Sequence, residues 1–349
     1  MNKFYPAVVT GVNGKKIAWS TAEVLSQTVE ICKLLSIPYS CDLPPLSDVD
    51  NPSDFPVWLQ ERFCQDTSAN KITVVVPVLN EAQNIVNTLE CAIRHTSSSV
   101  VQVIVVDGGS TDETVSLVKS FKDKTDSSQN ELVQLYKNIT TKLGSSFDSS
   151  GLNWTRGKIS VELLSSPKGR HIQQNTGAEH AEGDILLFLH GDTVLPLGYA
   201  DYILSTLVTG NTDNRVVAGA FRFEIEDSTH SLLTFGKKLV EIFTNLRAKY
   251  LQFPYGDQSL FMLARTFTRL GGFPSIPLME DFELVSKLRK EGTIAITPIE
   301  APTSGRRWKK LGLVKTTLLN QLIILAFYLG ASPVQLANWY YGYGYTTNK

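Results

Sequence analysis

At 349 residues the chain has room for one large α/β domain with additions, or for two ordinary domains. Hydrophobic residues make up 42% and charged residues 19%, ordinary globular values that exclude wholesale disorder and a polytopic membrane protein. The formal net charge of −1 gives no broad electrostatic case for nucleic acid, whose backbone is met by a basic surface, so any phosphate contact must be local.

The opening "MNKFYPAVVTGVNGKKIAWS" has neither the continuous apolar core of a signal peptide nor the Arg-rich amphipathic pattern of a transit peptide, so a cytosolic-side protein is expected. Its two β-leaning runs flank Asn13-Gly14, a dipeptide that accepts the positive φ angles of a tight hairpin turn. A helical stretch from about Thr21 to Leu35 follows, then "CDLPPLSDVDNPSDFP", whose Pro, Asp and Ser content reads as a linker. Residues 1–70 are therefore expected to form an N-terminal extension. Cys32, Cys41, Cys64 and Cys91 lack paired ligand spacing and are too sparse for a disulfide framework, and are read as reduced thiols. Asn138-Ile139-Thr140 and Asn153-Trp154-Thr155 match the glycosylation pattern, but without an export signal they are read as chance matches.

From Lys71 the pattern changes. "ITVVVPVLN" and "VVQVIVVDGG" are short apolar, β-branched runs with a helical segment between them, which suits parallel strands buried on both faces. "ISVELLSS" and "GDILLFLH" are further strands, separated by the helical "RHIQQNTGAEHAE". This alternation predicts a doubly wound, mostly parallel sheet with helices on both faces, over residues 71–341 with a tail at 342–349. A polar, Ser-rich stretch over about 122–158 is longer than a compact connection needs and reads as a surface insertion. Beyond it come a β-leaning "VVAGAFRFEIE", a helix from Ser231 to Tyr250, a strand from Ser259 to Leu263, and a helix from about Glu280 leading to "GTIAITPI". The apolar "TTLLNQLIILAFYLG" is interrupted by Asn320 and Gln321 and falls short of a membrane span; it suits the core, a partner such as a second copy, or a bilayer surface.

Open parallel sheets bind ligands beyond the carboxyl ends of their strands. Pro77, Asn80 and Glu81 follow the first strand there, Asp107, Gly108, Gly109 and Ser110 the second, Gly169 and Arg170 the third, and His190, Gly191 and Asp192 the fourth. Asp107 suits either hydrogen bonding to a ribose or base edge, or a plain strand-to-helix turn with Ser110 and Glu113 as a capping box. "LFLHGDTVLP" raises its own question, because a metal-holding pair of acids would fit there and only Asp192 is an acid. His190 is either a ligand or a buried turn histidine. No Ser-His or Cys-His nucleophile constellation stands out.

"TVVVPVLNEAQNI" followed by "VIVVDGGSTDET" resembles the opening of family 2 glycosyltransferases, which have the nucleotide-diphospho-sugar transferase (GT-A) fold. "GRHIQQNTGAEHAEGDILLFLHGDT", "PYGDQSLF", "GGFPSIPLMEDFEL" and "TSGRRW" extend the likeness to about Tyr341, and resemble the radical-SAM/selenodomain-associated subgroup. The resemblance implies a metal-dependent, inverting, hexosyltransferase-type enzyme that moves a sugar from a nucleotide-diphosphate donor, a UDP-sugar being favoured, to an acceptor hydroxyl. It implies that Asp107 holds the nucleotide with Pro77, Asn80, Glu81 and Gly108 nearby, and that Arg170 at a helix N-terminus meets base or diphosphate.

The resemblance also implies that Asp192, with His190 in the variant first position of an Asp-x-Asp motif, holds Mg²⁺ or Mn²⁺. Asp281 is then the base and Glu280 its support, although two acids at a helix start also stabilise that terminus. Asp257 and Gln258 match an acceptor-side loop. Arg306, Arg307 and Trp308 match the Arg-Trp part of a QxxRW signature whose Gln position holds Ser304, which argues against processivity; Trp308 also suits a core position. Two other readings stay open: a polyprenyl-phosphate sugar transferase resting on a membrane surface with a lipid-linked acceptor, and a non-catalytic nucleotide-sugar-binding protein.

Overall fold

In the computed structural model, residues 71–94, 99–127, 159–207, 216–226, 234–306, 308 and 312–341 are described. The N-terminal hairpin, helix and linker expected over 1–70, most of the insertion (128–158), Arg307 and the tail at 342–349 lie outside the described residues.

The elements run β1 (Ile72–Val78), α1 (Ile85–Arg94), β2 (Val100–Asp107), α2 (114–127), β3 (Ser160–Ser165), α3 (Arg170–Glu179) and β4 (Ile185–Phe188). They continue with α4 (Tyr199–Leu207), β5 (Val216–Glu226), α5 (Thr234–Leu251), a 3₁₀ turn at Gly256–Gln258, β6 (Phe261–Leu263) and α6 (Ala264–Arg269). The last are α7 (Glu280–Glu291), β7 (Thr293–Ser304), α8 (Leu313–Tyr328) and α9 (Pro333–Tyr341). The strands form one sheet in the order β3-β2-β1-β4-β6-β5-β7. Its pairs are parallel except where β6 runs against β4 and β5. This is the doubly wound, mostly parallel α/β architecture expected of the GT-A fold.

Side-chain alternation places a core on each face. Ile72, Val74, Val76 and Val78 of β1 join one apolar cluster with α1, α2 and α4, while Val75 joins the other with α6 to α9. β4 divides in the same way, with Ile185 and Leu187 on the first side and Leu186 and Phe188 on the second. Pro77 sits in a central strand without disrupting it. Val75 O accepts from Leu189 N–H on the β4 side, so Pro77, two residues on, turns its missing donor to that side, past the end of β4 at Phe188.

Helix α2 begins differently from expectation. Asp112, not the Ser110–Glu113 pair, caps it, its Oδ1 accepting from Thr114 N–H at 3.0 Å. Helix α2 also continues through residue 127, so the start of the expected insertion is helical. β7 runs to Ser304, well beyond "GTIAITPI", because β5 pairs with it as far as Glu226↔Ser304.

Helix α5 is turned inside out relative to an ordinary surface helix. Its polar Asn245 bonds both Phe223 N–H and O on β5 (2.7 and 2.9 Å), and Glu241 accepts from Ile225 N–H (2.9 Å). Its Leu239, Ile242, Phe243, Leu246 and Tyr250 are exposed.

Gln173 on α3 ties the carboxyl ends of β1 and β2, its Nε2 donating to Val78 O at 2.7 Å and Val106 O at 2.8 Å. Replacing Gln173 with Ala should destabilise the domain by about 1–3 kcal/mol, read as a lower urea midpoint with an unchanged m-value.

Candidate active site

The turns after β1 and β2 are stitched together by their own side chains. Asn80, in the left-handed region at φ 57°, accepts from Thr111 N–H at 2.8 Å through Oδ1, while its own N–H donates to Ser110 Oγ at 2.9 Å. Glu81 N–H donates to Thr114 Oγ1 at 2.8 Å. Asp107 is buried and its carboxylate accepts from Gly109 and Ser110 N–H at 3.0 and 3.1 Å. Asp107 thus builds the turn, and Asn80 clasps its neighbour. Gly108 is needed because a Cβ there would stand 2.9 Å from the Gln173 side chain.

After β4 the chain leaves β1 and meets β7. Val194 N–H donates to Pro302 O (2.8 Å) and Ser304 N–H to Asp192 O (3.1 Å), which fixes Asp192 against the end of β7. Just beyond it, Arg306 Nη2 donates to both Glu81 Oε2 (2.6 Å) and Asp192 Oδ2 (3.1 Å), joining residues after β1, β4 and β7. Burial, ahead of all other causes, raises the Glu81 carboxyl above its ordinary value.

Helix α7 supplies two acids. Glu280 is buried, and its Oε1 lies 3.5 Å from Arg170 Nη1 at the start of α3. Burial outweighs that cation and lifts Glu280 to about 7, with Asp281 adding to the rise. Asp281 Oδ2 accepts from Gly256 N–H at 2.7 Å and Oδ1 from Phe282 N–H at 2.8 Å, so two backbone donors fix its orientation. In the 3₁₀ turn, burial raises Asp257 to about 6, and its Oδ1 is buried without a hydrogen-bond partner.

These groups line a cavity of about 260 Å³. Arg170, His190, Asp192, Asp257, Glu280 and Asp281 form its polar wall. Trp308, whose ring lies tilted against Phe223 with centroids 5.9 Å apart, stands with Ile323, Ile324 and Tyr340 on an apolar wall. The His190 Nε2 is buried and unpartnered, and burial, helped by Arg170, lowers its pKa to about 4, so the imidazole is neutral near pH 7.

The expected site residues divide accordingly. Arg170, His190, Asp192, Asp257, Glu280, Asp281 and Trp308 meet in the cavity. Arg306 and Glu81 adjoin it through Asp192. Gln258 does not reach it: the side chain is fully buried, with Nε2 donating to Phe221 O at 3.0 Å. Pro77, Asn80, Asp107 and Gly108 shape the strand ends beside it.

Sequence reading missed Tyr255, whose ring carries the Arg247 guanidinium at 3.4 Å, and the cavity position of Asn320. Asn320 had a signal, as a polar interruption of an apolar run. Its Oδ1 is buried and unpartnered.

Among the described residues no cluster of three or more His, Cys, Asp or Glu is arranged to hold a metal. Asp192 and the unpartnered His190 fit a divalent ion that takes the rest of its shell from phosphate and water, as Mg²⁺ often does.

Residues 73–159 match the family model described as Glycosyl transferase family 2. Over 122 residues the chain is 28% identical to "Glycosyltransferase AglE" of Haloferax volcanii, a match covering 35% of this chain and 30% of that relative. The chain therefore spans less than a third of the curated relative it matches. Among solved structures it is similar to the mannosyltransferase PcManGT of Pyrobaculum calidifontis in complex with GDP-Man and Mn²⁺, at 18% identity, 82% and 75% coverage and a TM-score of 0.46. Another is S. aureus TarS in complex with UDP, at 15% identity, 67% and 60% coverage and a TM-score of 0.42.

Because Glu280 is raised from 4.5 to about 7, the folded chain keeps a proton that the unfolded chain releases across that window, and this group lowers stability as pH rises through it. His190, lowered from 6.5 to about 4, acts in the opposite sense between those values. Glu280→Gln should therefore become progressively more stable relative to wild type from about pH 4.5 to 7, read by urea denaturation at a series of pH values. A difference independent of pH would contradict the assignment.

Proposed function

We propose that the protein is a metal-dependent, inverting glycosyltransferase that moves a sugar from a nucleotide-diphosphate donor to an acceptor hydroxyl. One observation carries the reading. Arg170, Asp192 and the Glu280–Asp281 pair, far apart in sequence, converge on one cavity at the carboxyl edge of a doubly wound sheet, where such sheets bind ligands. The family match over residues 73–159 supports it, since that segment builds the strand ends where the nucleotide would lie.

The nucleotide lies over the turns at Pro77–Glu81 and Asp107–Gly109, a UDP-sugar being the favoured donor, and its diphosphate points toward Arg170 and Arg306. Arg170 opens α3, so the helix N-terminus adds its own partial positive charge. Arg306 exchanges a bond to Glu81 or Asp192 for one to phosphate.

Asp192 and His190 would hold a divalent metal, which supplies Lewis-acid stabilisation of charge on the leaving oxygens. The charge balance supports this. Four carboxyl groups, Asp192, Asp257, Glu280 and Asp281, line the cavity with Arg170 as the cationic side chain in the same wall; burial reduces the charge on Glu280 and Asp257 without adding a cation, so an entering diphosphate gains from further positive charge. Mg²⁺ and Mn²⁺ both suit this oxygen and imidazole donor set.

Asp281 takes the acceptor's proton as the hydroxyl attacks the anomeric carbon from the face opposite the diphosphate. Gly256 and Phe282 N–H hold its carboxylate in place without occupying every lone pair. Glu280 holds Arg170 across the cavity floor. A single displacement inverts the configuration.

The test is a donor panel with Mg²⁺ or Mn²⁺, following nucleotide release and product anomericity. Asp281→Asn should lower kcat by about 10²–10⁴-fold with little change in KM, the signature of lost general-base catalysis. Asp192→Ala should raise the divalent-ion concentration needed for turnover. Turnover unaffected in both variants, or retention of configuration, would refute this mechanism.

A further inference from the structure

The face of the molecule behind the apolar cavity wall is itself apolar. On α5 the exposed residues Leu239, Ile242, Phe243, Leu246 and Tyr250 fall at the spacing of one helical stripe. On α8, Leu318, Leu322 and Leu325 do the same, followed by Leu329 at the C-terminal cap, with Leu322 61% and Leu329 79% exposed. Trp339 and Tyr341 of α9 are also exposed. Helix α8 packs against both α5 and α9, so the stripes belong to neighbouring helices. Isolated exposed apolar residues are ordinary, but stripes repeated on adjoining helices mark an interaction surface.

Charge selects the partner. The three helices carry Lys237, Lys238, Arg247, Lys249 and Lys315 against a single acid, Glu241, in a chain whose net charge is −1. Glu241 is turned inward onto Ile225 N–H, whereas Lys238, Lys249 and Lys315 are exposed. A second copy docked on the same face would set these cations against themselves. Lysines beside apolar side chains, with Tyr250, Tyr328, Trp339 and Tyr341 among them, instead match the chemistry of the bilayer interface. Among the described residues no helix is long and apolar enough to cross a membrane.

We propose that α5, α8 and α9 form a docking face for an anionic lipid bilayer surface, lying on it rather than spanning it. Asn320, Ile323 and Ile324 on the inner side of α8 line the cavity while Leu318, Leu322 and Leu325 face outward. One helix, about 10 Å across, therefore separates the cavity from the bilayer. The acceptor is then an amphiphile presented at the membrane surface, a consequence that rests on the glycosyl-transfer reading, whereas the docking does not.

The full chain should co-float with vesicles of phosphatidylcholine containing about one-third phosphatidylglycerol, and bind pure phosphatidylcholine vesicles about tenfold less, in the absence of any sugar donor. Phe243→Glu combined with Leu322→Glu should abolish flotation while leaving the thermal unfolding midpoint unchanged within about 2 °C. Lys238→Gln with Lys249→Gln should weaken binding to the anionic vesicles selectively. The proposal is overturned if wild type binds neither vesicle, if it binds both equally, if the double-glutamate variant floats like wild type, or if sedimentation shows a dimer that this variant dissociates. Since no step of the assay uses catalysis, failure of the docking and failure of the enzymatic reading are separately visible.

Discussion

Carboxylates crowded at the edge of a sheet are the constraint around which this molecule is arranged. Asp192, Asp257, Glu280 and Asp281 share one cavity, with Glu81 immediately beside it. Like charges so placed destabilise one another unless each is answered, and each is answered differently. One nitrogen of Arg306 serves Glu81 and Asp192 together. Arg170 faces Glu280, whose burial nonetheless lifts its pKa to about 7. Asp281 relies on backbone N–H groups, and Asp257 on losing part of its charge to burial. Two arginines thus carry structural duty, and are available to an incoming anion only if something else relieves the acids. On the glycosyl-transfer reading, this would couple entry of the anionic donor to charge neutralisation.

The shortness of β4 lets the chain after it reach β7 and bring His190 and Asp192 into the cavity wall. β1 pairs with β2 through Val78, but β4 pairs with β1 only as far as Val75↔Phe188. Beyond that point Gly191 still packs against Val78 and Glu81, while Asp192 and Val194 turn to the end of β7, and Arg306 joins Glu81 to Asp192. A topological switch point becomes a site because two neighbouring strands stop at different heights.

Much of this was legible in the sequence. Runs such as "ITVVVPV" and "VVQVIVVD" revealed buried parallel strands because both faces are covered, and the residues after each strand landed at the sheet's carboxyl edge. What escaped depended on contacts between distant segments. Gln258 is one residue from Asp257, yet the 3₁₀ turn sends one side chain to Phe221 and the other to the cavity. Asp107 and Asn80 fit a ligand-binding pattern and also a turn, and only the positions of Gly109, Ser110 and Thr111 show their donors already engaged. The inversion of α5 was invisible because a helical stripe has the same period whichever face it presents. Asn245 and Glu241 point inward only because β5 offers Phe223 and Ile225 backbone groups there.

Helix α8 shows why an apolar run with a polar interruption need not be a failed membrane span. Its buried Asn320 leaves Oδ1 without a partner, and an unpaired polar atom in such a place costs about 1–3 kcal/mol. Asp257 Oδ1 and His190 Nε2 are orphaned in the same cavity wall. Packing alone would favour apolar replacements at each, since an unsatisfied polar group weakens a core. Asp257, His190 and Asn320, from the 3₁₀ turn, the segment after β4 and α8, line one cavity, so their polarity belongs to the candidate site rather than to the apolar core.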